Sequence, residues 1–142
     1  MTKILFVCHG NICRSPMAEF VMKDMVKKAG KADLFRIDSV AVSQEELGNP
    51  VYPPARREMQ RHGVACDGHR ARQITQADVD AYDHIYYMDS SNARYLARMF
   101  PGETKFRPLL NRSVADPWYT GDFSQTWLDI NEGCKRILEE LL

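Results

Sequence analysis

The chain has 142 residues, enough for one domain with a core of its own and too few for two of ordinary size. Its 19 Lys and Arg balance its 19 Asp and Glu, so no net field gathers nucleic acid or an anionic membrane, and any anion site has to be local. The only early apolar run, Ile4 to Val7, is too short for a signal-peptide core or a membrane span; this predicts a cytoplasmic protein whose cysteines, Cys8, Cys13, Cys66 and Cys134, are free thiols.

Four consecutive apolar residues, Ile4-Leu5-Phe6-Val7, predict a short strand buried on both faces. A helix follows. Ser15 is the expected N-cap and Pro16 suits the first helical position; Ala18, Val21, Met22, Met25 and Ala29 recur at helical spacing, and Gly30 closes the end. Phe35 to Val42 reads as a second strand, and Pro54 to His62, closed by Gly63, as a mostly polar helix. Thr75 with Asp78 three residues on resembles a capping box for a short helix, before a third strand at His84 to Met88. Ser91 to Phe100 gives a helix stopped by Pro101, and Lys105 to Leu109 a short fourth strand. Trp127, Ile130, Cys134, Ile137, Leu138 and Leu141 trace the apolar face of a C-terminal helix.

Strands alternating with helices imply right-handed crossovers, hence a three-layer α/β/α domain around a four-stranded parallel sheet, in one unit spanning residues 1–142. Ligands of such sheets bind beyond the carboxyl ends of the strands, and Cys8 follows the first strand there. In "VCHGNICRSPMAE" the backbone of His9, Gly10, Asn11, Ile12, Cys13 and Arg14 can turn its N–H groups inward at a helix N-terminus, an arrangement that binds anions. Gly10 permits a turn with positive φ, Asn11 tolerates the left-handed region, and the Arg14 fork matches two phosphate oxygens. Thiols in such a field ionise at about 3.5–7.5 against ~8.5 for an ordinary cysteine, which makes Cys8 the expected nucleophile and a phosphate dianion the expected guest. Asp116, in "DPWYTGDF", is the candidate proton donor for a departing oxygen, with Trp118 and Tyr119 as flat walls for an aromatic leaving group.

Cys8-x5-Arg14-Ser15 on the first strand, loop and helix, with Asp116-Pro117 and two aromatics near the C-terminus, resembles the low-molecular-weight protein-tyrosine phosphatases. "HRAR" at His69 to Arg72 and "MDSSN" at Met88 to Asn92 extend the resemblance over nearly the whole chain. It implies a flavodoxin-like strand order 2-1-3-4 and hydrolysis of phosphotyrosine or small aryl phosphates, with no metal or other cofactor, by a monomer. Cys8 would form a phosphocysteine, Arg14 would clamp the phosphoryl oxygens, and Asp116 would protonate the phenol and then activate water. Ser15 would hydrogen-bond the Cys8 sulfur, Asn11 would hold the loop's shape, and Cys13 would trap an oxidised Cys8 as a disulfide. The chain departs from the family at Ala41, where glycine is common, and at Glu45 and Glu46, where aromatic or imidazole side chains often line the entrance. Two carboxylates at that rim would disfavour acidic peptides.

Other readings of the same residues stay open at this level. Ser15 can be a cap as well as a thiolate partner, Asp116 a turn opener, Trp118 and Tyr119 loop anchors, and Asp89 either a helix cap or an orienter of the loop. His69 and Arg72 are read as structural braces, Cys66 and Cys134 as core or surface thiols. Cys8, Cys13, Cys66 and His69 have tolerable spacing for a metal site, although this leaves Arg14 and Asp116 idle. Arsenate reduction would need a relay of closely paired cysteines, and Cys66 and Cys134 are not such a pair. A phosphopeptide-binding module without turnover would need neither nucleophile nor acid.

Overall fold

Ile4, Leu5, Phe6 and Val7 are wholly buried, as an apolar run in a strand covered on both faces must be. In the computed structural model, which describes residues 1–142, they lie in β1 (Thr2–Cys8), paired in parallel with β2 (Phe35–Ala41) on one side and β3 (His84–Tyr87) on the other. β4 (Phe106–Pro108) pairs in parallel with β3, so the order is β2-β1-β3-β4, as the resemblance implies. The order reverses at β1, which puts the residues after Cys8 at the open end of the sheet.

Alternation along β1 divides the interior. Ile4 and Phe6 join the larger core with α1 (Arg14–Lys28), α2 (Pro53–Arg61) and α6 (Phe123–Leu141). Leu5 and Val7 join a smaller core with α3 (Gln76–Ala81) and α4 (Ser90–Met99). Burying one such side chain contributes roughly 1.5–3 kcal/mol. α6 passes so close to Leu109, just after β4, that a Cβ on Gly133 would lie 2.4 Å from Leu109 Cγ, which makes glycine the fitting residue there.

The element boundaries refine the sequence reading. The capping box of Thr75 and Asp78 is present, and Asp89 with Asn92 forms a second one, so α4 begins at Ser90. Ser15 is not a cap: α1 begins at Arg14, the flanking position belongs to Cys13, and the Ser15 hydroxyl is drawn instead toward the Cys8 sulfur. α6 starts at Phe123, capped by Asp122, and a short α5 (Pro117–Thr120) precedes it.

Candidate active site

The loop from Cys8 into α1 closes around the Cys8 sulfur. The Asn11 N–H donates to Sγ at 3.3 Å, the Ser15 N–H at 3.4 Å, and the Ser15 hydroxyl lies 3.0 Å away. Two backbone N–H donors converge on the sulfur at the start of a helix, with the Ser15 hydroxyl beside them.

Asn11 makes this geometry possible. It is the one non-glycine residue with positive φ, at 61°, while Gly10 is not in that region; of the two positions the sequence offered for such a turn, Asn11 takes it. Space, not backbone freedom, is what Gly10 provides, since a Cβ there would lie 3.3 Å from Glu46 Cγ. The left-handed turn at Asn11 is held from every polar atom. Its carbonyl accepts from His69 Nε2 at 2.7 Å and its Oδ1 from the Arg72 N–H at 3.2 Å. Its Nδ2 donates to Ser15 Oγ at 2.8 Å and Ser39 Oγ at 3.0 Å. Ser39 in turn donates to the buried Glu19 at 2.6 Å, and Glu19 pairs with Lys23. His69 and Arg72 are thus braces, as expected; Ser39 and Glu19 carry no motif that would single them out.

Arg14 is 2 % exposed and fully engaged on one side. Nη1 donates to Asp89 Oδ2 at 2.7 Å and to the Val114 carbonyl at 2.8 Å, and Nη2 to Asp116 Oδ2 at 3.3 Å. Burial by itself would lower the Arg14 pKa, but the charges of Cys8, Asp116 and Asp89 outweigh it and raise it. Burial acts on Asp89 in the opposite sense; the Asn92 N–H and Arg14 outweigh it and hold its carboxyl below the usual range. Both readings of Asp89 hold at once: it caps α4 and it orients the arginine.

Asp116 likewise does two things. Its Oδ1 accepts from the Trp118 N–H at 3.0 Å, opening α5, while its other oxygen faces Arg14. It lines a pocket of about 130 Å³ with Cys8, Ile12, Cys13, Arg14 and the walls Trp118 and Tyr119. The aromatics are substantially exposed, 54 % and 84 %, so they are rim surfaces more than buried anchors. Tyr52, which no sequence pattern flagged, ties the two halves of the site together. Its N–H donates to the Ile12 carbonyl at 2.9 Å, and its ring packs on Trp118 with centroids 4.9 Å apart and on Phe123 at 6.2 Å.

His9 points its ring to the rim, 3.0 Å from Glu45, and Glu45 and Glu46 both line the pocket. Cys13 also lines it; burial, then the charges of Cys8 and Asp116, push its thiol far up, so it stays protonated. Cys66 and Cys134 are both buried. The metal-site alternative has no geometry behind it: no group of three or more His, Cys, Asp or Glu is placed to hold an ion, and His69 is spent on the Asn11 carbonyl.

Comparison with known proteins agrees with this arrangement. Residues 3–142 match the family model described as low molecular weight phosphotyrosine protein phosphatase. YfkJ of Bacillus subtilis, named a low molecular weight protein-tyrosine-phosphatase, is 35 % identical over 99 % of this chain and 96 % of its own. Its crystal structure superposes with a TM-score of 0.95, covering 99 % of this chain and 94 % of the other. SP-PTP, the Streptococcus pyogenes low molecular weight protein tyrosine phosphatase, is 39 % identical, with a TM-score of 0.93 over 100 % of this chain and 94 % of its own. The human low molecular weight phosphotyrosine protein phosphatase is 36 % identical over 96 % of this chain and 94 % of its own. The chain belongs to the low molecular weight phosphotyrosine protein phosphatase family.

Proposed function

We propose that this pocket hydrolyses phosphotyrosine and small aryl phosphates in two displacements at phosphorus, with Cys8 as the nucleophile. The observation that carries this reading is the Cys8 sulfur, which accepts from two backbone N–H groups and touches the Ser15 hydroxyl in a pocket that Arg14 and Asp116 also line. In the first step the Cys8 thiolate forms an S–P bond as the P–O bond to the phenol breaks, and Asp116 delivers its proton to the departing oxygen. In the second, Asp116 takes a proton from water as that water attacks phosphorus; the S–P bond breaks and inorganic phosphate leaves.

The cradle of His9, Gly10, Asn11, Ile12, Cys13 and Arg14 holds the phosphoryl group throughout. Arg14 Nε makes no hydrogen bond inside the protein, which leaves it and the remaining Nη2 proton for two phosphoryl oxygens, while Asp89 and Val114 hold the rest of the guanidinium. Ser15 stabilises the thiolate as it departs in the second step. Trp118 and Tyr119 flank the aromatic ring, and Glu45 stands at the rim.

The same reading extends to oxidation of this site. Peroxide converts the Cys8 thiolate to a sulfenic acid with loss of hydroxide, and the Cys13 thiol condenses with it to a disulfide and water. Residues 1–142 act as one catalytic domain, a monomer in the cytoplasm; no helix is long and apolar enough to cross a membrane. The reading needs neither metal nor cofactor. Incubation of the purified protein with phenyl phosphate and with a phosphotyrosine peptide, with and without chelator, tests it: phosphate release unaffected by chelator is expected, and release from neither substrate would refute it.

A further inference from the structure

The mouth of the pocket carries a charge pattern at odds with its guest. A site for a phosphate dianion is lined by Glu45 and Glu46 beside the proton donor Asp116, and by one arginine, Arg14. Arg14 pairs with Asp89, and its remaining donors are committed to the phosphoryl group in the reading above, so no arginine is left to offset the two glutamates. His9 Nε2 lies 3.0 Å from Glu45, and no lysine or arginine bonds to Glu45 or Glu46.

The two glutamates differ. Glu45 is 68 % exposed at its side chain and engaged by His9, whose ring is itself held edge-on to Tyr95 at 5.7 Å. Tyr95 carries Arg98 over its ring at 5.3 Å, so that cation is engaged too. Glu46 is only half exposed and is held in place: its Cγ lies against Gly10 of the catalytic loop, and its carboxylate accepts from Asn49 Nδ2 at 2.6 Å. Asn49 is a neutral donor and cancels no charge. The field of Glu46 reaches the pocket floor, where it is among the groups that disfavour ionisation of Cys13. A fixed, uncompensated carboxylate opposes a dianion arriving alone. It assists one only when the substrate brings a cation to the same place.

We propose that Glu46, with Glu45 in a lesser part, selects phosphotyrosine segments that carry lysine or arginine immediately beside the phosphotyrosine. The inference rests on the phosphotyrosine reading above. Glu45 and Glu46 line the same pocket as the Cys8 loop and the Trp118–Tyr119 wall; with the phosphoryl group in the loop and the ring against the wall, a residue next to the phosphotyrosine meets the two glutamates. There an ammonium or guanidinium supplies the counter-charge that the protein lacks. Because the contact is at the rim, it acts on capture more than on the chemical step, and it weakens as salt shortens the screening length.

Three phosphotyrosine peptides, identical except for lysine, glutamine or glutamate on both sides of the phosphotyrosine, test this by kcat/KM at low and high salt. The parent enzyme is expected to prefer the lysine over the glutamate peptide by about threefold to tenfold at low salt, the size of one or two exposed ion pairs, and to lose most of that preference near 1 M salt. Glu46→Gln, which keeps the side chain's length and its bond from Asn49, should remove most of the preference, Glu45→Gln a smaller share, and Glu46→Lys should reverse it. Equal kcat/KM for the three peptides in the parent overturns the inference, as does a preference that survives Glu46→Gln. Release of phosphate from none of the peptides overturns instead the hydrolysis reading beneath it.

Discussion

Tyr52→Ala isolates the link between the acid-bearing loop and the nucleophile loop. The Tyr52 N–H bond to Ile12 belongs to the backbone and survives the substitution, so the Cys8 cradle keeps its shape. What is lost is the ring that packs on Trp118 at 4.9 Å, one residue pair beyond Asp116, and on Phe123 at 6.2 Å. An aromatic pair of this kind contributes roughly 0.5–1.5 kcal/mol beyond its buried area. If the Trp118 pair alone holds Asp116 in its working position, its loss lowers the rate of the proton-dependent step about 2- to 13-fold, and loss of the Phe123 pair as well raises the ceiling. The assay compares phenyl phosphate, whose leaving oxygen needs the proton, with dinitrophenyl phosphate, whose leaving oxygen does not. Tyr52→Ala should slow the first within that range and leave the second nearly unchanged, while Tyr52→Phe, which keeps both ring contacts, should restore the parent ratio. An equal loss on both substrates would refute the reasoning, because it would place the damage in the Cys8 loop or in folding.

Arg14→Lys should cost about 10²–10³-fold in kcat, since an ammonium cannot reach Asp89, Val114, Asp116 and two phosphoryl oxygens together; steady-state kinetics within a few fold of the parent would contradict the clamp. After brief peroxide treatment, the parent should recover activity in thiol and show a Cys8–Cys13 disulfide by mass spectrometry, whereas Cys13→Ala should accumulate irreversibly oxidised Cys8. Because burial keeps the Cys13 thiol protonated, its capture of the sulfenic acid is slow, and recovery of the parent should fall as the peroxide dose rises. Tyr82 donates its hydroxyl to Asp38, and burial together with that bond pushes its pKa from 10.0 up to about 12. The fold therefore favours the neutral phenol; its contribution is complete below pH 10.0 and is lost as pH rises toward about 12. Denaturant unfolding of Tyr82→Phe should lack that alkaline slope, and an unchanged slope would assign it to other groups.

The sheet and the main residues of the candidate site were legible because each has a local signature. Ile4 to Val7 contains no polar residue, Thr75 and Asp78 stand at capping-box spacing, and Cys8 and Arg14 bracket a loop between a strand and a helix. The start of α1 was not, because Ser15-Pro16 is the ordinary signature of a helix start, and the groups that engage that hydroxyl instead, the Cys8 sulfur, the Asn11 amide and the Val40 carbonyl, are brought to it by the fold. The sequence offered the positive-φ turn to both Gly10 and Asn11 for a similar reason. Glycine has the intrinsic freedom, but the bonds from His69, Arg72, Ser15 and Ser39 are tertiary and stabilise the left-handed conformation at the asparagine. Tyr52, Ser39 and Glu19 contribute through contacts with residues distant in sequence, which no spacing pattern encodes. Asp89 and Asp116 were each open to a capping and a site role, and the two oxygens of a carboxylate serve both.

The identity of the atom that carries the phosphoryl group between the two steps tests the account most directly. Turnover of a radiolabelled phosphotyrosine peptide, quenched in acid within the first cycle and digested under conditions that preserve thiophosphate esters, should yield one labelled peptide, the one containing Cys8. Cys8→Ser should give neither labelled peptide nor free phosphate. Label recovered on any other residue, or steady phosphate release by Cys8→Ser, would contradict it.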